Sequence, residues 1–140
     1  MILYIDTTTG THISIALAEK TAVLAHRKIK AQYKQSEKLL PAIDKLLSKV
    51  QKNVDLKSIK GIVVVSGPGP FTATRIGVAT ANALAYALRI KIVSLQADEF
   101  ENIADMAVKG WEKLKIAKKN SPAGGVEPVY DREPNITISE

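Results

Sequence analysis

Between Ile62 and Ala85 the chain reads IVVVSGPGPFTATRIGVATANALA, a run that few folds can accommodate. Ile62 to Val65 is apolar and β-branched, as a buried strand requires. It breaks at Ser66-Gly67-Pro68-Gly69-Pro70, and a small-residue helical pattern starts at Thr72. Gly67 and Gly69 permit backbone angles that a β-carbon forbids, and the two prolines stop strand pairing from continuing. Such a turn offers backbone N–H groups at the carboxyl end of a central strand, where α/β proteins hold ligands. Its spacing is neither the dinucleotide fingerprint nor a Walker loop. A plain strand-to-helix connection and a phosphate cradle both stay open.

The helix that follows has no side designed for water. Ala73, Gly77, Ala81 and Ala85 recur every fourth residue, Ile76, Ala79, Ala83 and Ala87 form a neighbouring stripe, and no charge falls between Ile76 and Leu88. An amphipathic surface helix shows a polar face. One face is therefore expected to cover a sheet and the other to meet a second helix or a second chain, the small ridge allowing close approach. Arg75, Asn82, Tyr86 and Arg89 leave too short an apolar run for a membrane span.

Alternation and turn residues predict three antiparallel strands at the start: Ile2 to Asp6, His12 to Ala18 and Thr21 to Lys30. A helix is expected from about Tyr33 to Gln51, kinked at Pro41 or starting only just before it. A strand at Gly61–Val65, the small-residue helix Thr72–Leu88, a strand at Lys91–Leu95 and a lysine-rich helix from Asp98 to about Lys118 complete the pattern. The order βββαβαβα predicts a mixed α/β sheet with helices on its faces. That is the ribonuclease H-like topology, the half-unit of actin-like ATPases. Residues 1–118 are expected to form this lobe, and 119–140, SPAGGVEPVYDREPNITISE with Lys119-Asn120 before it, an extended or disordered tail.

Composition narrows the chemistry. With no cysteine there is no thiol catalysis, disulfide or cysteine zinc site, and His12 and His26 have no ligand-like spacing, so no metal site is expected. Met1 leads straight into a strand, so a cytoplasmic protein without signal peptide or membrane span is expected. The net charge of +6 is uneven: Lys20 to Lys60 holds eleven basic residues against Glu37, Asp44 and Asp55, a net +8. That segment is either a solvated surface or a patch facing RNA or an acidic partner.

The topology suggests two enzymatic uses. A ribonuclease H-like nuclease needs converging carboxylates. Asp6 and Glu37 are candidates, but the fourth strand ends in Ser66-Gly67 without an acid, and Asp98 and Glu99 do not replace it. An actin-like module would bind nucleotide through Asp6, Thr7 and Thr8 on one loop and Gly67 and Gly69 on the other. A single lobe touches a nucleotide without enclosing it, and Asp6 can equally cap the amides of its own turn.

ILYIDTTT, QSEKLLPAIDKLL and SGPGPFTATRIGVATANALAYAL together resemble the TsaB (YeaZ) family, in the order and spacing of its motifs, across Met1 to about Ala107. VEPVYDREP at Val126–Pro134 resembles the segment that ends many members. The resemblance implies a non-catalytic subunit that pairs with the related TsaD in forming N6-threonylcarbamoyladenosine at tRNA position 37, a TsaE-type ATPase acting in the same complex. It implies no resident cofactor, with ATP and magnesium entering at the level of the complex and tRNA met through it. Pairing through the first two helices would use Leu39, Leu40, Ile43 and Leu47 on one, and Phe71, Arg75, Ile76, Gly77, Ala81 and Leu84 on the other. The alternatives are a nucleotide-binding module and a homodimeric scaffold with another partner. The chain departs from the family pattern at Gln35 (for histidine), Pro70 (serine), Ala73 (glycine) and Thr74 (an aliphatic residue), and most of the second lobe is lacking.

Overall fold

The structure, a computed structural model, describes residues 1–50, 55–117 and 125–129. Three strands open it: β1 (Ile2–Asp6), β2 (His12–Glu19) and β3 (Ala22–Lys30). Helix α1 (Gln35–Val50), strand β4 (Gly61–Gly67), helix α2 (Phe71–Leu88), strand β5 (Lys91–Gln96) and helix α3 (Ile103–Ile116) follow. The five strands form one sheet in the order β3-β2-β1-β4-β5. β1–β2 and β2–β3 pair antiparallel, while β4 lies parallel to both β1 and β5. This is the ribonuclease H-like arrangement read from the element order.

Each strand's pattern matches its place in the sheet. Central β4 is buried along its whole length, as a parallel strand covered on both faces must be. Edge strand β3 alternates exposed and half-buried residues. Two hydrophobic layers result. Leu3, Ile5, Ile13, Ile15, Ile62 and Val64 pack beneath α1 and α2 on one face. Tyr4, Ala16, Val63, Val65 and Leu95 meet Met106, Ala107 and Leu114 of α3 on the other.

Two helix boundaries differ from expectation. Helix α1 begins at Gln35 and runs through Pro41, which lies on its exposed side. Pro41 has no N–H for the Glu37 carbonyl, and on the exposed side of the helix that loss costs least because solvent can replace the donor. Helix α3 starts at Ile103 rather than Asp98. Residues Ala97–Glu99 form a separate 3-10 turn, closed as Glu99 accepts from the Gln96 N–H at 2.8 Å. Asn102 then caps α3 by accepting from the Asp105 N–H at 2.8 Å. The expected ends at Gln51 and Lys118, and the tail at 119–124 and 130–140, lie outside the described residues.

The described part of the tail lies against the lobe. Asn82, in the middle of α2, donates through Nδ2 to the Val126 carbonyl at 2.8 Å and accepts from the Val126 N–H at 2.9 Å. The Val129 N–H donates to the Ser66 carbonyl at 2.6 Å.

Candidate interaction surface and glycine turn

The loops after β1 and β4 meet because those strands are parallel neighbours, so Asp6, Thr7, Thr8, Gly67 and Gly69 come together as the spacing suggested. Their bonds are to one another and to α2. Asp6 Oδ1 accepts from the Thr8 N–H at 2.9 Å and the Thr8 hydroxyl at 2.6 Å, the turn-capping role. The Thr7 hydroxyl donates to the Ala73 carbonyl at 2.6 Å in the first turn of α2. Gly67, at φ +129, faces the Val129 carbonyl, which occupies the place of a β-carbon. At Gly69 a β-carbon would stand 2.6 Å from the Thr8 carbonyl and 2.7 Å from Thr74 Oγ1. Both glycines thus admit atoms of this chain, and the turn seats the start of α2 on the sheet.

The motif departures bear on the same joint. Gln35 is buried and donates through Nε2 to the Gly10 carbonyl at 2.8 Å, tying α1 to the β1–β2 turn. Pro70 packs on Gly10, where a β-carbon would lie 3.0 Å from its Cγ. Thr74 buries a hydroxyl without a hydrogen-bond partner in a place that suits an aliphatic side chain.

The ten residues expected at a partner surface divide into two groups. Leu39, Ile43 and Leu47 lie wholly inside the core, and so do Gly77 and Ala81. Gly77 packs directly against Thr7, so close that a β-carbon there would collide with the threonine hydroxyl. The ridge Ala73-Gly77-Ala81-Ala85 therefore faces the chain's own sheet. It brings α2 down onto β4 and β1, and a partner cannot reach it. Leu40 and Phe71, 50% and 55% exposed, and Arg75 are on the surface, with Ile76 and Leu84 half-buried beside them. The Arg75 guanidinium lies 5.8 Å from the centre of the Phe71 ring, a cation–π contact.

The outward side of α2 consists of Phe71, Thr72, Arg75, Ala79, Ala83, Tyr86 and Ala87. Tyr86 is 88% exposed. Apart from Arg75 this side carries no charge, so the feature noted in the sequence belongs to the second alanine stripe. Sequence reasoning did not single out Tyr86 as part of this exposed face or Asn82 as the residue that holds Val126. The signal for Asn82 was a lone carboxamide inside an uncharged helical run.

Comparison with known proteins agrees with this architecture. Residues 24–108 match the family model described as TsaD: tRNA N6-adenosine threonylcarbamoyltransferase. The chain is 30% identical over 115 residues to the tRNA threonylcarbamoyladenosine biosynthesis protein TsaB of Buchnera aphidicola subsp. Schizaphis graminum, covering 82% of this chain and 50% of that protein. It is 35% identical over 98 residues to the protein of the same name from Bacillus subtilis, covering 70% and 42%. The solved structure of YeaZ from Pseudomonas aeruginosa superposes with a TM-score of 0.60 at 27% identity, over 68% of this chain and 43% of that one. A second, described as an uncharacterized protein with similarity to peptidase YeaZ from Pseudomonas aeruginosa, gives 0.61 at 27% identity, over 68% and 42%. The chain spans about half the length, or less, of the curated relatives it matches. It belongs to the family that the TsaD model describes, and within it to TsaB (YeaZ).

Proposed function

We propose that the chain is a non-catalytic subunit that pairs with a TsaD-type protein in forming N6-threonylcarbamoyladenosine on tRNA, in the cytoplasm. The observation that carries this reading is the outward face of α2. Ala79, Ala83 and Ala87 let a partner helix approach closely, and Tyr86 and Phe71 supply apolar area at either end. Leu40 on α1 extends the surface. The names of the relatives, tRNA threonylcarbamoyladenosine biosynthesis proteins, support the pathway. A TsaE-type ATPase, ATP with magnesium, and tRNA join at the level of the complex.

Chemistry is assigned to the partner. Among the described residues no three His, Asp or Glu side chains are grouped to hold a metal ion. Ser14 Oγ lies 2.9 Å from His26 Nε2, but the two sit on neighbouring strands with Lys28 beside them. Burial first, and then the Lys28 charge, hold His26 below its ordinary pKa. That weakens it as a base where a hydrolase would strengthen it with a carboxylate. No described helix is long and apolar enough to cross a membrane.

The test mixes the purified chain with the TsaD-type protein of the same organism and measures mass by light scattering after gel filtration. A stable heterodimer is expected, lost in Ala83→Glu while the variant's thermal unfolding stays within about 0.5 kcal/mol of the parent, as for surface sites. Pairing that survives Ala83→Glu and Tyr86→Glu would remove α2 from the interface. Two separate parent peaks would overturn the reading, and a self-dimer would replace it with the homodimeric scaffold.

A further inference from the structure

A concavity of about 340 Å³ lies between the β2–β3 edge and the start of α1, lined chiefly by Thr11, His12, Lys30, Gln32, Lys34 and Lys38. Its walls are held by backbone bonds. The Ala31 N–H donates to the Thr11 carbonyl at 2.9 Å, and the Lys34 N–H to the Ala31 carbonyl at 2.7 Å. Lys38 reaches across to donate from Nζ to the Lys30 carbonyl at 3.0 Å, which places its ammonium on the wall. Among the described residues the ion pairs join Met1 to Glu19 and Lys113 to Glu99, so no carboxylate pairs with these three lysines. The charge continues along the edge of the sheet, where Lys30 stands opposite His12 and Lys28 opposite Ser14.

A second observation points to the same place. Tyr33, in the segment that links Gln32 to Lys34 at the rim, is 90% exposed and adopts φ +62. A bulky residue in the left-handed region is a costly arrangement that persists at ligand sites. Here it holds an aromatic ring in water beside uncompensated lysines. Lysines for phosphates and an exposed ring for a base are the two elements of single-stranded RNA recognition.

We propose that this concavity and Tyr33 bind RNA, the lysines taking backbone phosphates and the tyrosine stacking on an unpaired base. The RNA class, tRNA, rests on the function proposed above; the chemistry of the site does not. The chain would then contact the tRNA itself and not only reach it through its partner.

The experiment measures fluorescence anisotropy of a labelled tRNA transcript with the whole chain alone, from about 50 to 200 mM salt. Lys30→Glu with Lys34→Glu is expected to weaken binding at least about tenfold and to flatten the salt slope by about one to two units. Tyr33→Ala is expected to weaken binding to an unstructured oligonucleotide and leave the slope unchanged. Circular dichroism confirms folding, and Lys34→Gln repeats the test without adding a negative charge. Affinity unchanged in all these variants would overturn the proposal. So would lysine-dependent binding of inorganic triphosphate with no binding of RNA, which would mark a mononucleotide site. Lysine- and tyrosine-dependent RNA binding in a chain that does not pair with the TsaD-type protein would sustain this inference and overturn only the subunit reading.

Discussion

At the scale of single residues, close approach decides where side chains of one size are tolerated. Gly110 in α3 passes directly over Tyr4 and Val63, and a β-carbon there would stand 2.6 Å from Tyr4 Cε2 and 2.9 Å from Val63 Cγ2. Tyr4 cannot move aside, because it is buried and its hydroxyl donates to the Ala107 carbonyl at 2.9 Å. The same burial pushes its pKa up to about 12, so it remains a donor throughout the neutral range. Gly110→Ala is therefore expected to cost about 1–3 kcal/mol by overpacking, against the slight gain that alanine brings to an open helix position. Urea denaturation of the two proteins measures it. A variant as stable as the parent would mean that α3 can lift from the sheet.

Among the elements, α2 carries the most consequence because both of its sides are made of small residues. Ala81 is fully buried against the sheet while Ala83, two residues on, is exposed. A charge at the first position has no water and no partner, whereas at the second it is solvated. Ala81→Glu is expected to abolish cooperative unfolding or lower stability by several kcal/mol, on the order of the cost of an unpaired buried charge. Ala83→Glu should change only pairing. Circular dichroism melts of the two variants make the comparison, and equal melting temperatures would show that the helix can rotate. The contrast also explains why α2 resisted assignment from its sequence: the two stripes have the same side chain, so neither periodicity nor hydrophobicity says which faces inward.

For the whole molecule, acid is the informative variable. Burial and Lys28 lower the pKa of His26 in the folded chain from an ordinary 6.5. Above that value both states are neutral there. As pH falls below it the unfolded chain takes up a proton that the folded chain resists, and stability declines. Glu99 behaves differently, with its folded pKa held below 4.5, first by the Gln96 N–H and then by Lys113, whose Nζ lies 2.9 Å from Oε2. Its contribution is complete above the unfolded value and is lost as pH falls through the folded one. Stability is thus expected to decline on acidification in two stages, one starting near pH 6.5 and one below pH 4.5. Urea titrations across that range would show the first stage vanish in His26→Gln and the second in Glu99→Gln. A flat profile in the parent would contradict both.

Local chemistry determined much of this protein from the sequence alone. Alternating apolar residues marked β1 to β3, the β-branched run marked β4, and glycine and proline marked the turn into α2, because each acts through its own backbone or nearest neighbours. The meeting of Asp6, Thr7, Thr8, Gly67 and Gly69 was legible for the same reason, since parallel strands bring their following loops together. Burial of Gly77 and Ala81 was not, because it depends on the sheet that α2 covers, with Thr7 arriving from the loop after β1 to fill the space beside Gly77. Nor was the clasp of Asn82 on Val126. The basic segment was legible as either a solvated surface or an RNA-facing patch; what the sequence left open was that Thr11 and His12 join Lys30, Lys34 and Lys38 around one concavity. Thr7 and Gly77, like Asn82 and Val126, are far apart in the chain, and Val126 takes part through backbone groups that every residue carries, so a pattern of side chains leaves no trace of either contact.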